Sequence, residues 1–199
     1  SIKNPITKKT ITKKINVGFV GHAGVLLIDN KTGVTKYYEY GRYDTEDGTV
    51  GRVRTVSISN VRIGKDGKPT IESLNKVLGE LSKKSGQSGR IDGAYVISDE
   101  FEKMNNYANS KFLESNPGKG NTAYNKNRKP YSLIRHNCGT FAADVINQDE
   151  SVDAPIIINP TPVNIVDEYQ EEGNAKVEYN PVSNTTTIGK GDEDDAKKN

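Results

Sequence analysis

The sequence predicts an α+β fold in which an antiparallel sheet packs against a few helices. Two β-prone stretches, 17–29 and 34–43, are rich in branched and aromatic residues and flank the turn signal NKTG at 30–33. Further along, 71–84 has apolar residues at the three- and four-residue intervals typical of an amphipathic helix. Strand-type and helix-type segments therefore both occur within one chain of moderate length.

Each predicted element has its own local signal. The segment 17–29 is apolar with three glycines, which indicates a buried strand, and the turn signal pairs it with 34–43 in a β-hairpin. Thr70 is a predicted N-cap for the helix over 71–84. The remaining predictions are a third strand over 51–63, a turn at 64–68, a short strand at 93–97, a second helix from about 99 to 114 and a third helix from about 138 to 148.

The 199 residues suit one domain of ordinary size with extensions. The first 15 residues alternate Lys and Thr around isolated Ile, which indicates a basic N-terminal arm or an edge strand. The main domain is predicted over 16–148. An extension is predicted over 149–187, where prolines interrupt short β-prone segments. Residues 188–199 are predicted to form a disordered acidic tail.

Charge is unevenly distributed along the chain. Residues 149–199 hold 12 acidic and 4 basic side chains, so the rest carries a net charge of +10 although the whole chain carries +2. A basic body favours an anionic partner such as nucleic acid, a membrane surface or a cell-wall polymer. The simpler interpretation is a soluble domain with an acidic tail, and we expect no nucleic-acid partner.

Composition excludes several kinds of site. One cysteine allows neither an intrachain disulfide nor a multi-cysteine metal site, and we expect no metal or cofactor. No apolar run approaches the length of a transmembrane helix, and no standard signal peptide is visible. A chain that starts at Ser1 rather than Met is interpreted as processed or as part of a longer chain.

The single cysteine, Cys138, is the candidate nucleophile. Asn137 is a favoured N-cap residue type, so Cys138 is predicted in the first turn of a helix. The unpaired amides there favour negative charge, and the thiolate is the form of cysteine that attacks. The same amides can stabilise an oxyanion. The alternative is a core cysteine, since Phe141, Ala142 and Val145 share its helical face.

Two histidines are available to activate this thiol. His136 lies just outside the helix start, two residues before Cys138, and is interpreted as a surface or supporting residue. His22 lies between glycines in a core strand, where an imidazole requires a polar partner. It is either a satisfied core histidine or a general base that faces a cleft.

A third group is needed to orient such a base. If the hairpin closes with Asp29 opposite Val34, Glu39 and Tyr37 share the face of His22, because side chains alternate along a strand. Glu39 is then the predicted orienting residue, although a register slip of one residue would replace it. The alternative for Glu39 is an exposed strand carboxylate. Tyr37 and the neighbouring tyrosines are candidates to line a substrate groove.

The segments GHAGV at 21–25, YEYG at 38–41 and NCGTFA at 137–142 resemble the circularly permuted papain-like superfamily. That group includes permuted NlpC-type peptidases, lecithin:retinol acyltransferase-like proteins and deSUMOylating isopeptidases. The resemblance implies a fold with the nucleophile at a helix N-terminus and a histidine that precedes it in the chain. Cys138 and His22 match those positions, and Glu39 matches the third position loosely. The chain lacks the second histidine and the membrane anchor of the acyltransferase pattern.

The resemblance implies a cysteine amidase or peptidase. Cys138 would attack an amide carbonyl, with His22 as base and Glu39 as its support, and the helix-start amides with Asn137 or Tyr131 would bind the oxyanion. A small, polar, basic domain without a signal peptide looks like a secreted bacterial effector toxin, for which a peptidoglycan peptide is the expected substrate and an immunity or carrier protein a possible partner. Alternatives are a thioesterase, acyltransferase or isopeptidase, and a non-catalytic secreted binding module.

Overall fold

The computed structural model describes residues 22–43, 50–115, 131–132, 135–152, 155, 165–172 and 174–189, and the backbone of 9–15 and 162–164. Within these ranges the chain forms seven strands and four helices, so the predicted α+β class is confirmed. Residues 44–49 and 116–130 lie outside the described residues. None of the described helices is both long enough and apolar enough to cross a membrane.

The element bounds follow the order of the chain. The strands are β1 (Lys9–Ile15), β2 (His22–Ile28), β3 (Thr35–Gly41), β4 (Arg52–Thr55), β5 (Ile91–Ile97), β6 (Ala175–Asn180) and β7 (Thr185–Gly189). The helices are α1 (Ile71–Ser85), α2 (Phe101–Ser115), α3 (Cys138–Ile146) and α4 (Pro162–Glu171).

All described strands belong to one antiparallel sheet in the order β4-β3-β2-β1-β5-β6-β7. Alternate residues of β2 face two separate cores, as the pleat requires. Leu26 and Ile28 pack with α1 on one face, and Val25 and Leu27 pack with α2, α3 and α4 on the other. The sheet is therefore covered on both faces, which explains why the β2 sequence is almost continuously apolar.

The hairpin of β2 and β3 has the predicted register. The Asp29 amide donates to the Val34 carbonyl at 2.9 Å, and Gly24 pairs with Glu39. Gly33 closes the turn with φ of 76°, and a Cβ there would lie 2.2 Å from the Val61 carbonyl oxygen. Only glycine fits this position, because the backbone is left-handed and there is no room for a side chain.

The helix predictions hold with small changes in bounds. Thr70 caps α1 by accepting a hydrogen bond from the Ser73 amide. The predicted apolar face of α1 is fully buried and consists of Leu74, Val77, Leu78 and Leu81. The helices α2 and α3 also begin and end within a few residues of their predicted bounds.

The predicted third strand over 51–63 is wrong beyond Thr55. The chain leaves the sheet edge there and crosses to α1, where the Ser59 amide donates to the Glu80 carboxylate at 2.7 Å. Asn60 then accepts from the Thr35 amide, and the Val61 amide donates to the Gly33 carbonyl. These bonds replace a strand ladder, so the backbone is satisfied without β structure.

The two ends of the chain differ most from their predictions. β1, predicted as an arm or edge strand, lies between β2 and β5 in the middle of the sheet. The extension contains a helix, α4, that was not predicted, and β6 joins the main sheet through β5. Of the predicted tail over 188–199, Ile188 and Gly189 end β7, and 190–199 lie outside the described residues. Thr and Ile favour strands at the centre of a sheet as well as at its edge. The composition of this segment therefore could not show which position β1 takes in the sheet.

Candidate active site

Cys138 is the first residue of α3, as predicted. Asn137 caps the helix with its side chain, which accepts from the Thr140 amide at 2.9 Å, while the Thr140 hydroxyl accepts from the Asn137 amide. This reciprocal capping box fixes the helix start and therefore the position of the thiol. Only 1% of Cys138 is exposed, so its sulfur lies at the bottom of a cleft.

His22 meets this thiol at the end of the sheet where β2 begins. The amide of the next residue, Ala23, donates to the Cys138 Sγ at 3.3 Å, and His22 and Cys138 line the same cleft. This hydrogen bond fixes the sulfur beside the start of β2. The structure thus brings together two residues that lie 116 positions apart in the sequence.

Glu39 holds the other side of the imidazole. Its Oε2 lies 2.6 Å from the His22 Nε2, and the Glu39 carboxylate is fully buried. Since Glu39 binds Nε2, the ring nitrogen that is not bound by Glu39 is Nδ1. The carboxylate also accepts hydrogen bonds from Tyr37, Ser85 and Arg54. Glu39 is therefore a satisfied buried carboxylate, and the alternative of an exposed strand residue is excluded.

The charges of this network support one another. Burial alone would lower the pKa of His22, but hydrogen bonds and charge interactions with Cys138 and Glu39 raise it to about 9. Burial alone would raise the pKa of Glu39, but the hydrogen bonds and charge of His22, with help from Ser85 and Tyr37, hold it well below its usual range. The network therefore favours a protonated His22 beside an ionised Glu39.

Tyr43 and Arg54 enclose the histidine from the side. The Tyr43 hydroxyl lies 3.3 Å from the His22 Nε2, and the two rings meet edge to face with centroids 6.5 Å apart. The Arg54 guanidinium carbon lies 4.1 Å from the centre of the Tyr43 ring. This stack restricts rotation of the imidazole and keeps a cation close to Glu39.

The predicted binding residues take different positions. Tyr131 lies beside the nucleophile, where its hydroxyl interacts with both the thiol and the backbone amide of Cys138. The Asn137 side chain is used by the helix cap. Tyr37 is fully buried and donates to Glu39 at 2.6 Å, a position that supports the carboxylate rather than one that contacts substrate. His136 is exposed and lines a neighbouring pocket that does not include Cys138.

Comparison with known proteins places this chain in a family. A family model described as "Type VI secretion system effector TseH-like" matches residues 3–153. The chain belongs to this TseH-like effector family. The crystal structure of the type VI secretion system effector TseH superposes with a TM-score of 0.76 at 33% sequence identity, and the match covers 92% of this chain and 97% of that one. No curated protein matched.

Membership in the TseH-like family makes the chain a secreted effector, a class that is delivered without a classical signal peptide. The predicted secreted effector is thereby confirmed.

Arg54 and Ser85 are parts of the effector's site that the sequence prediction missed. Arg54 lies directly across from Glu39 in the pairing of β3 with β4, so a correct β4 register would have identified it. Ser85 ends α1, and its hydroxyl reaches Glu39 only because α1 packs on that face of the sheet. No local pattern in the sequence indicates that contact.

The charged network should make the stability of the effector depend on pH. The His22 pKa is raised from 6.5 to about 9, so its contribution is complete below pH 6.5 and is lost as the pH rises through 9. The Glu39 pKa is lowered from 4.5, so its contribution is complete above pH 4.5 and falls in more acidic solution. Urea unfolding should therefore show maximal stability between pH 4.5 and pH 6.5. The His22→Gln variant should lose less stability than wild type as the pH rises through 9. An equal loss of stability at alkaline pH in wild type and His22→Gln would show that His22 is not its cause.

Proposed function

We propose that this effector is a cysteine hydrolase that cleaves an amide bond in a peptidoglycan peptide. The observation that carries the proposal is that Cys138 and His22 line the same cleft, with the sulfur bound by the amide of the residue after His22 and the imidazole held by the buried Glu39. A structural cysteine would not require a charged pair arranged around its sulfur. Nucleophile, base and orienting group are the three parts that a cysteine hydrolase needs.

In the first chemical step, the Cys138 thiolate attacks the carbonyl carbon of the amide, and a carbon–sulfur bond forms. The carbonyl electron pair moves to oxygen. The His22 imidazolium then gives its Nδ1 proton to the amide nitrogen, the carbon–nitrogen bond breaks and the amine leaves. Glu39 holds the ring through Nε2 during this transfer, so the proton donor stays in line with the sulfur.

The oxyanion of this step has two candidate donors. The backbone amide of Cys138 lies at the start of α3, where the helix dipole favours negative charge. The Tyr131 hydroxyl interacts with that same amide and with the sulfur, so it lies near the position of a substrate carbonyl oxygen. We assign the oxyanion to these two groups, because the Asn137 side chain is used by the helix cap.

Water completes the reaction. Neutral His22 removes a proton from a water molecule, and the hydroxide oxygen attacks the thioester carbon. The carbon–sulfur bond breaks, the carboxylic acid leaves, and the thiolate and imidazolium are restored. No redox partner or additional reactant besides water is required.

We further propose that the fold is of the circularly permuted papain-like kind. The histidine strand precedes the cysteine helix in the chain, and the cysteine opens that helix directly after its cap. This order is the one that the permuted superfamily has. Membership in the effector family supports the amidase hypothesis, because peptidoglycan is an abundant amide-linked polymer of bacterial cells.

The proposed function can be tested by digestion of purified peptidoglycan followed by mass analysis of the soluble fragments. Wild-type protein should release fragments that gain one water across an amide bond. Protein alkylated with iodoacetamide should release none, because Cys138 is the only cysteine in the chain. Mass analysis of the intact protein shows that one group has been added, and circular dichroism shows whether the fold is retained.

Two results would reject parts of the proposal. If wild-type protein releases no fragments, peptidoglycan is not the substrate. If alkylated and untreated proteins release the same fragments, Cys138 is not the nucleophile.

A further inference from the structure

The cleft that contains Cys138 is lined by positive charge. It has a volume of about 430 Å³, and its walls include His22 and four Arg or Lys side chains. These cations are Arg42, Arg54, Lys83 and Lys84. Among the described residues, no Asp or Glu lines the cleft. Such a site attracts anions, and its charge acts at the place where the proposed reaction occurs.

Two of the four cations already have partners within the protein. Arg54 donates from Nε to the Glu39 carboxylate and lies over the Tyr43 ring. The Lys84 ammonium donates to the Ser57 carbonyl at 2.6 Å. These interactions hold both side chains in the wall of the cleft and leave less of their charge for a ligand.

Arg42 and Lys83 are in a different situation. Both are exposed, and neither forms an ion pair within the described part of the chain. The Arg42 guanidinium lies 5.1 Å from the centre of the Tyr131 ring, and Tyr131 contacts the nucleophile. Lys83 stands on the last turn of α1, two residues before Ser85, which binds Glu39. The two cations therefore line the same cleft as the reacting groups.

We propose that Arg42 and Lys83 bind a carboxylate of the substrate that lies close to the scissile amide. This inference rests on the proposed hydrolase function and specifies its substrate as an anionic peptide. A guanidinium and an ammonium match carboxylate oxygens in charge and hydrogen bonding. Because the cleft is small, the amide and the carboxylate belong to the same short segment of peptide.

The effect of each cation should be moderate because both are exposed to solvent. Each exposed ion pair changes affinity by about two- to fivefold at low salt. Together they should favour a carboxylate over its neutral carboxamide by about tenfold. In about 1 M salt the Debye length falls to about 3 Å, and most of the preference should disappear.

The first test uses the thiol itself as the reporter. Cys138 displaces iodide from iodoacetate, which carries a carboxylate, or from iodoacetamide, which is neutral and of similar size. The ratio of the two rate constants, measured at low salt, should fall about two- to fivefold in Arg42→Gln and in Lys83→Gln. The matched control is Lys76→Gln, which removes a charge from the same helix about 10 Å along its axis and should leave the ratio unchanged.

The second test measures binding and requires no reaction. The Cys138→Ala protein is titrated with a peptidoglycan stem peptide that has free carboxylates and with the same peptide converted to carboxamides. The free acid should bind about tenfold more tightly, and Arg42→Gln or Lys83→Gln should reduce that preference. Equal affinity for the two peptides would overturn the inference.

The two tests separate this inference from the proposed function. If the thiol reacts with neither reagent, the nucleophile assignment fails. The carboxylate site is then tested by the peptide titration. If neither peptide binds, the carboxylate site is tested by the ratio of the two alkylation rate constants. A ratio that is unchanged in both Arg42→Gln and Lys83→Gln overturns the inference. If wild-type protein cleaves the acid and the carboxamide equally well, the hydrolase assignment stands and the carboxylate site is rejected.

Discussion

Replacement of His22 by alanine is expected to lower kcat/KM for amide hydrolysis by about 10³- to 10⁴-fold. The substitution removes the proton donor for the leaving amine and the cation that stabilises the Cys138 thiolate. Steady-state hydrolysis of a soluble stem peptide by wild type and variant measures the loss. The rate of iodoacetamide alkylation at pH 7 should fall in parallel, because the thiol loses the base that accepts its proton.

A double variant tests whether His22 and Cys138 act together. Groups that work as one unit are not additive, so His22→Ala in the Cys138→Ala background should cost little more activity than Cys138→Ala alone. His136→Ala is the matched control, since this histidine is exposed and lies in a neighbouring pocket. It should retain wild-type activity. Similar losses in His22→Ala and His136→Ala would contradict the assigned base.

Glu39→Gln is expected to reduce both stability and activity. The variant leaves Arg54 and protonated His22 without their buried counter-charge, a type of change that costs about 3 kcal/mol in unfolding free energy. Activity should fall by about 10² to 10⁴, because an amide can hold the imidazole in the wrong tautomer or orientation. Urea unfolding near pH 6 measures the first effect and peptide hydrolysis the second.

An exposed carboxylate provides the control for Glu39. Glu72 forms an ion pair with Arg62 at 2.6 Å, but 84% of its side chain is exposed. Glu72→Gln should therefore change the unfolding free energy by less than about 1 kcal/mol and leave hydrolysis unaffected. If the two Glu→Gln variants lose the same stability, the charge of Glu39 does not have the structural role assigned to it.

The parts of the site that sequence could predict are those set by short-range rules. Asn137 before Cys138 indicates a helix start, and the 30–33 turn fixes the β2–β3 register, which determines that Glu39 faces His22. Both inferences need only local geometry, since a cap and a two-strand register are defined within a few residues. The pairing of His22 with Cys138 was instead predicted from the family resemblance and from the small number of histidines in the chain.

The remaining parts depend on long-range packing. Ser85 reaches Glu39 because α1 covers one face of the sheet, and Tyr37 supports Glu39 because it is buried beneath that helix. β4 ended early because Ser59 and Asn60 found partners in α1 and β3, which no strand propensity describes. Helix α4 was missed because three nearby prolines suggested interruption, whereas Pro162 occupies its first position, where proline is tolerated.

The central position of β1 has a consequence for the continuity of the sheet. In the described sheet, β1 provides the backbone ladder that connects β2-β3-β4 to β5-β6-β7. Without it, two unpaired strand edges would face each other across a gap of about 10 Å, the width of one missing strand. Unpaired strand edges expose backbone donors and acceptors that pair readily with other strands. The N-terminal segment is therefore needed for one continuous sheet without open edges at its centre.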